Sequence, residues 1–197
     1  MSSNNKARLA VLVSGNGTNL EAVIQAAQNP AYPALVSVVL SDQRDCFALA
    51  RTRKHGIPAV FIDPSLFPTK EAYDQMLVTT IKEYKIDLVV LAGFMRILSP
   101  LFVRSFPHQI LNIHPSLLPD FPGLNAVKKA LEAHLPKTGC TIHYVDEGVD
   151  TGPLILQEEV PIHPDDTEES LHNRIHAVEH RLYPEAIKLV LSKRQKV

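Results

Sequence analysis

The segment ILNIHPSLLPDFPG, residues 110–123, sets an amide and an imidazole two positions apart. In an extended strand Asn112 and His114 face one side, and Leu111 and Ile113 the other. Pro115 ends the strand directly after the histidine. Two polar side chains then project together from the carboxyl end of an otherwise apolar strand, a costly placement unless they are hydrogen-bonded or used. Their chemistry suits an oxyanion: an amide N–H donates to developing negative charge, and an imidazolium adds attraction. A histidine satisfied by a nearby backbone group is the plainer alternative. No G-x-S-x-G nucleophile elbow occurs, which favours direct attack by a substrate nucleophile over a covalent enzyme intermediate.

Three other segments carry residues of chemical interest. YVDEGVDTGP, residues 144–153, crowds Asp146, Glu147 and Asp150 into one loop, with Gly148 and Gly152 to bend it. It is open to three readings: a solvated acidic turn, a Ca²⁺ loop of non-EF-hand spacing, or a source of one carboxylate that orients His114. SGNGTNL, residues 14–20, follows an apolar run and opens a helical pattern. The free amides and dipole of a helix start favour an anion there, while Thr18 or Asn19 as a plain helix cap is the rival reading. The dinucleotide fingerprint wants a third glycine where Leu20 stands, so a single phosphate fits better, and Asp42 is a decoy for the acidic ribose binder. HAVEH, residues 176–180, fits H-x-x-E-H, and His172 extends the row, but only Glu185 follows as a further ligand. A polar helix face is the simpler account of His172, and no metal is expected.

These segments must be held by alternating elements. Buried strands are expected at 8–13, 35–41, 58–62, 87–93, 110–114, 139–145 and 153–162, and helices at 18–28, 43–55, 70–84 and 167–191. Apolar strands without polar alternation, interleaved with helices, predict an α/β fold: a doubly wound, mostly parallel seven-stranded sheet, helices on both faces, and an antiparallel strand near the C-terminus. In such sheets the ligand crevice lies beyond the carboxyl ends of the strands, where the glycine turn, Asn112 and His114 all fall.

The 197 residues, with no linker or repeat, fit a single domain over 1–197. A formal net charge of −1, with no basic run beyond the tail KRQK, argues against a nucleic-acid partner. The polar start MSSNNKAR lacks the apolar stretch of a signal peptide, and IDLVVLAGFM is too short to span a bilayer. Cys46 and Cys140, far apart, give no disulfide framework. A cytoplasmic protein is expected, with small-molecule substrates and neither nucleic acid nor membrane as partner.

In order along the chain, SGNGTNLEA, VVLAGFMRILSP, ILNIHPSLLPDFPG, HYVDEGVDTGP and EHRLYP resemble the phosphoribosylglycinamide formyltransferases, members of the folate-dependent formyltransferase family. The resemblance implies transfer of a formyl group from 10-formyltetrahydrofolate, as co-substrate without a metal, to the amine of 5'-phosphoribosylglycinamide in de novo purine biosynthesis. It implies an amino-terminal half that binds phosphate and a carboxyl-terminal half that binds folate, in a monomer or homodimer. The family's catalytic triad falls on Asn112, His114 and Asp150, and its phosphate turn on Gly17, Thr18 and Asn19. Glu179 matches the acidic residue that contacts the ribose. The folate pocket matches Met95, Arg96, Ile97 and Leu98 together with Asp146, Glu147, Gly148 and Val149. Asn125 stands where several relatives carry histidine, and Thr18 where serine is common. A formyltetrahydrofolate deformylase would use water as acceptor and brings an extra amino-terminal domain. A methionyl-tRNA formyltransferase needs a basic surface and a carboxyl-terminal domain. A non-catalytic NAD sensor is disfavoured by Leu20.

Overall fold

The computed structural model describes residues 6–194. Parts of the polar start and of the KRQK tail lie outside the described residues. Seven strands run β1 (Ala7–Val13), β2 (Ala34–Ser41), β3 (Ala59–Phe61), β4 (Leu88–Leu91), β5 (Ile110–His114), β6 (Lys137–Tyr144) and β7 (Leu154–Pro161). Six α-helices join them: α1 (Thr18–Gln28), α2 (Phe47–Lys54), α3 (Lys70–Glu83), α4 (Pro100–Ser105), α5 (Ala126–Glu132) and α6 (Glu168–Arg194). They form one sheet of order β3-β2-β1-β4-β5-β6-β7. The first five strands are parallel, and β6 pairs antiparallel with both β5 and β7. The doubly wound, mostly parallel sheet is the one expected.

The pleat divides the core in two. Leu9, Val11 and Val13 of β1 pack with Leu20 and Val23 of α1 and with Ile175 and Ile187 of α6. Ala10 and Leu12, pointing the opposite way, pack with Tyr73, Leu77 and Ile81 of α3 and Phe102 of α4. With both faces covered, neither needs polar alternation, which is why these strands read as continuous apolar runs. In β5, Ile110 enters the α3–α4 core. Asn112 and His114 share that face but lie further along it, past the apolar layer.

Two short helices were absent from the expected elements, α4 and α5, of 6 and 7 residues. α4 lies within the proline-rich stretch 100–123, and α5 follows just after it. Ser99 caps α4 by accepting from the Phe102 amide, and Pro100 occupies its first turn. The expected helix at 43–55 begins only at Phe47. Among the described residues no helix is long and apolar enough to cross a membrane.

The chain reverses direction across the sheet between β1 and β4, so the loops after these strands diverge there. Ser14 bridges them: its amide donates to the Gly93 carbonyl at 3.0 Å, and its hydroxyl accepts from the Met95 amide at 2.9 Å. Beneath the opening, the fully buried Tyr183 of α6 places its hydroxyl 2.9 Å from the Leu91 carbonyl and 3.0 Å from that of Leu111. One O–H serves two carbonyl oxygens, at the end of β4 and within β5, where the pairing of these two strands runs out. Tyr183→Phe keeps the ring and strands those acceptors. It should lower the unfolding free energy by about 1–3 kcal/mol in urea denaturation; an unchanged midpoint would show that the hydroxyl is dispensable.

Candidate active site

Asp150 is the hub of the site. The loop between β6 and β7 carries it back over the end of β5, with its backbone in the left-handed region at φ 55°. Aspartate tolerates that region better than most residues. Its Oδ2 accepts from the Gly123 amide at 2.8 Å and lies 3.2 Å from His114 Nδ1. Its Oδ1 accepts from Asn112 Nδ2 at 3.2 Å and lies 3.4 Å from His143 Nε2. Burial alone would raise the Asp150 pKa, but the His143 and Gly123 hydrogen bonds and the two imidazoles outweigh it and bring it from 3.8 down to about 2. Asp150 is therefore a carboxylate throughout the neutral range.

The carboxylate orders its neighbours. A carboxylate only accepts, so the Asn112 amide must present its NH₂ rather than its oxygen to Asp150. That NH₂ also lies 3.2 Å from His143 Nε2. His143 Nδ1–H donates to the Tyr144 carbonyl at 2.8 Å. As a neutral ring His143 accepts the second Asn112 hydrogen; as an imidazolium it donates to Asp150 and frees that hydrogen. His114 Nε2–H donates to the Phe121 carbonyl at 2.8 Å, so both its ring nitrogens face acceptors, an arrangement that suits an imidazolium. The sequence reading missed His143. Its signal was the two-residue spacing of Thr141 and His143 around Ile142 in β6, and the register sets His143 opposite Asn112.

A cleft of about 380 Å³ opens beside this cluster. Asn112, His114 and Asp150 line it, with Met95, Arg96, Ile97 and Leu98 from the loop after β4 and Asp146, Gly148 and Val149 from the acidic loop. Met95, Ile97 and Leu124 are 67%, 66% and 70% exposed, an apolar rim around a polar floor. Glu147 does not line it: Arg104 draws its carboxylate outward into an exposed ion pair at 2.7 Å. Asp146 holds the loop's own shape, accepting from the Gly148 amide and the Thr151 hydroxyl. This loop is thus neither plain solvated turn nor ion cage, since Asp150 turns inward. Asn125 lines the cleft and precedes α5 in the left-handed region at φ 62°.

The glycine turn sits behind the cleft wall. Gly17 precedes α1 at φ 71°, and a Cβ there would come within 2.6 Å of the Ala48 Cβ. No side chain caps α1, so the plain-cap reading of Thr18 and Asn19 fails. The Asn19 side chain instead donates to Glu179 Oε2 at 2.8 Å. Burial pushes the Glu179 pKa up, against the Asn19 hydrogen bond and the His172 charge. Thr18 lines a separate depression with Glu21, Arg51 and His180, outside the main cleft. Arg51, also missed in the sequence, donates from Nε to the Asn16 carbonyl at 3.0 Å and fixes the turn from α2. Glu179 of H-x-x-E-H takes the Asn19 hydrogen bond on one carboxylate oxygen, and among the described residues no three His, Cys, Asp or Glu side chains are grouped to hold a metal.

Residues 7–187 match the family described as formyl transferase. The chain belongs to that family. Among its formyltransferase relatives, the phosphoribosylglycinamide formyltransferase of Escherichia coli (strain K12) is 44% identical over 176 residues, covering 89% of this chain and 83% of that protein. That of Bacillus subtilis (strain 168) is 37% identical, covering 93% and 94%. The trifunctional purine biosynthetic protein adenosine-3 of Drosophila pseudoobscura pseudoobscura is 48% identical over 98% of this chain, which spans only 14% of that larger protein. The crystal structure of glycinamide ribonucleotide transformylase 1 from Symbiobacterium toebii superposes with a TM-score of 0.95 at 46% identity, covering 98% of this chain and 91% of that one.

The low Asp150 pKa carries a stability consequence for this formyl transferase fold. Its contribution is fully present above the ordinary carboxylate value of 3.8 and is lost as pH falls toward about 2. Urea unfolding of the protein and of Asp150→Asn should differ most near neutral pH, with the gap closing through that acid window. A gap that stays constant with pH would contradict the hydrogen-bonded carboxylate.

Proposed function

We propose that this chain transfers a formyl group from 10-formyltetrahydrofolate to the amine of 5'-phosphoribosylglycinamide, a step of de novo purine biosynthesis. One observation carries the reading. In a member of the formyl transferase family, Asn112, His114 and Asp150, 38 and 36 residues apart across the acidic loop, meet at hydrogen-bond distance on the floor of a cleft. The folate binds at the apolar rim, along Met95 to Leu98 and the loop of Asp146, Gly148 and Val149; Glu147 contributes through its tie to Arg104. The substrate phosphate meets the uncapped start of α1 at Gly17, Thr18 and the Asn19 backbone, with Arg51 nearby, and Glu179 takes the ribose. Phosphate and folate binding thus divide between the two halves of a single domain. The free cysteines Cys46 and Cys140 fit a reducing, cytoplasmic setting.

The amine nitrogen attacks the formyl carbon, and the carbonyl π pair moves onto oxygen. The tetrahedral oxyanion is stabilised by the charge of His114 and by an Asn112 N–H released from His143. Collapse breaks the bond to the folate nitrogen, which takes up the proton that the amine loses. With its pKa near 2, Asp150 is a weak base, so its first task is to support the His114 imidazolium. Holding both substrates in line supplies a large share of the rate.

With both substrates saturating, His114→Ala and Asp150→Ala should each cut kcat by about 10²–10⁴-fold in a spectrophotometric formyl-transfer assay. Near-normal turnover in either variant would rule out the triad. Formate release from the folate in the absence of the amine would instead assign the site to hydrolysis.

A further inference from the structure

The histidine row of α6 is the feature that the formyl-transfer reading leaves unused. His172, His176 and His180 follow one another at four-residue spacing on one face. The ring centroids of His172 and His176 lie 4.1 Å apart, and those of His176 and His180 5.9 Å apart. Among the described residues neither His172 nor His176 has a hydrogen bond to a ring nitrogen; the nearest charged partner is Glu179 Oε2, 3.8 Å from His176 Nε2. Imidazoles usually spend their nitrogens on acceptors, as His114 and His143 do here.

We propose that His172, which lines the cleft, and His176, one turn further along α6, form a chelating pair for a divalent transition-metal ion. Four-residue spacing on a helix stacks side chains one turn apart and lets two imidazoles share one ion. An ion about 2.1 Å from one nitrogen of each ring sets the ring centroids roughly 5 Å apart, so the rings must part by about 1 Å from the 4.1 Å present. Small side-chain rotations suffice, because His172 is exposed and His176 half-buried. Glu168, one turn before His172, lines the same cleft, and its charge and that of Glu179 both act on His172. Two carboxylates and no facing cation favour a cation at this pair, whereas Arg51 acts on His180. Burial also lowers the pKa of both rings, which keeps them in the neutral, ligating form. With no third protein ligand grouped there among the described residues, water completes the coordination.

Zinc chloride titrated calorimetrically into the full chain tests this without recourse to turnover, so its outcome is independent of the formyl-transfer reading. One zinc ion per chain should bind in the micromolar range. His172→Gln and His176→Gln should each weaken it by about tenfold or more, while His180→Gln and Cys46→Ser change it by less than about threefold. Substoichiometric Cu²⁺ should broaden the ring NMR signals of His172 and His176 first in the unmodified protein. Absence of zinc binding up to millimolar concentration would overturn the proposal. So would affinity that survives either glutamine, loss of binding with Cys46→Ser, or broadening that begins at other histidines.

Discussion

A buried carboxylate needs compensation, and the site is arranged around supplying it. Asp150 receives one backbone N–H and one amide N–H and stands beside two imidazoles. These four groups come from three places: Gly123 from the loop after β5, Asn112 and His114 from β5 itself, His143 from β6. The antiparallel pairing of β5 with β6 sets the last three side by side, with Asn112 opposite His143 and His114 opposite Thr141. The parallel part of the sheet brings the strand end to the crevice; the antiparallel addition returns the acid to it. Removing the carboxylate would take away the acceptor shared by the Gly123 and Asn112 amides, so one residue ties the loop after β5, β5 itself and the β6–β7 loop together.

The parallel sheet was legible because both its faces are covered. Leu9 to Val13 and Leu88 to Leu91 have no exposed side to advertise with polar residues, and their apolar runs are unambiguous. The elements that escaped were short. The seven residues of α5 follow Asn125 in a left-handed conformation, and so short a helix has little room for a repeating apolar face. Ser99–Pro100 was a visible start signal for α4, overridden by the density of prolines around it.

Within the site, the pair Asn112 and His114 was readable from a period of two and a terminating proline. The choice of Asp150 among three loop acids was not readable from the residues themselves and came from family resemblance. Physically it rests on a left-handed backbone at Asp150 and on the Gly123 amide, 27 residues away. Glu147 is a neighbour in sequence yet faces Arg104. His143 was overlooked because a lone histidine in an apolar strand gives no sign of its cross-strand neighbour until the register is known. Asn19 was assigned to phosphate as a turn residue, whereas its side chain reaches a carboxylate 160 positions away.

That last bond has a consequence for how the protein is made. The turn between β1 and α1 is synthesised well before its partner Glu179, which lies midway along the final helix. Early chain can fold its first strands and still lack the acid that secures Asn19. Synthesis must pass residue 179 before the two side chains meet, so the turn gains its final shape late, and a product truncated ahead of Glu179 would carry an intact glycine motif with an unfinished pocket.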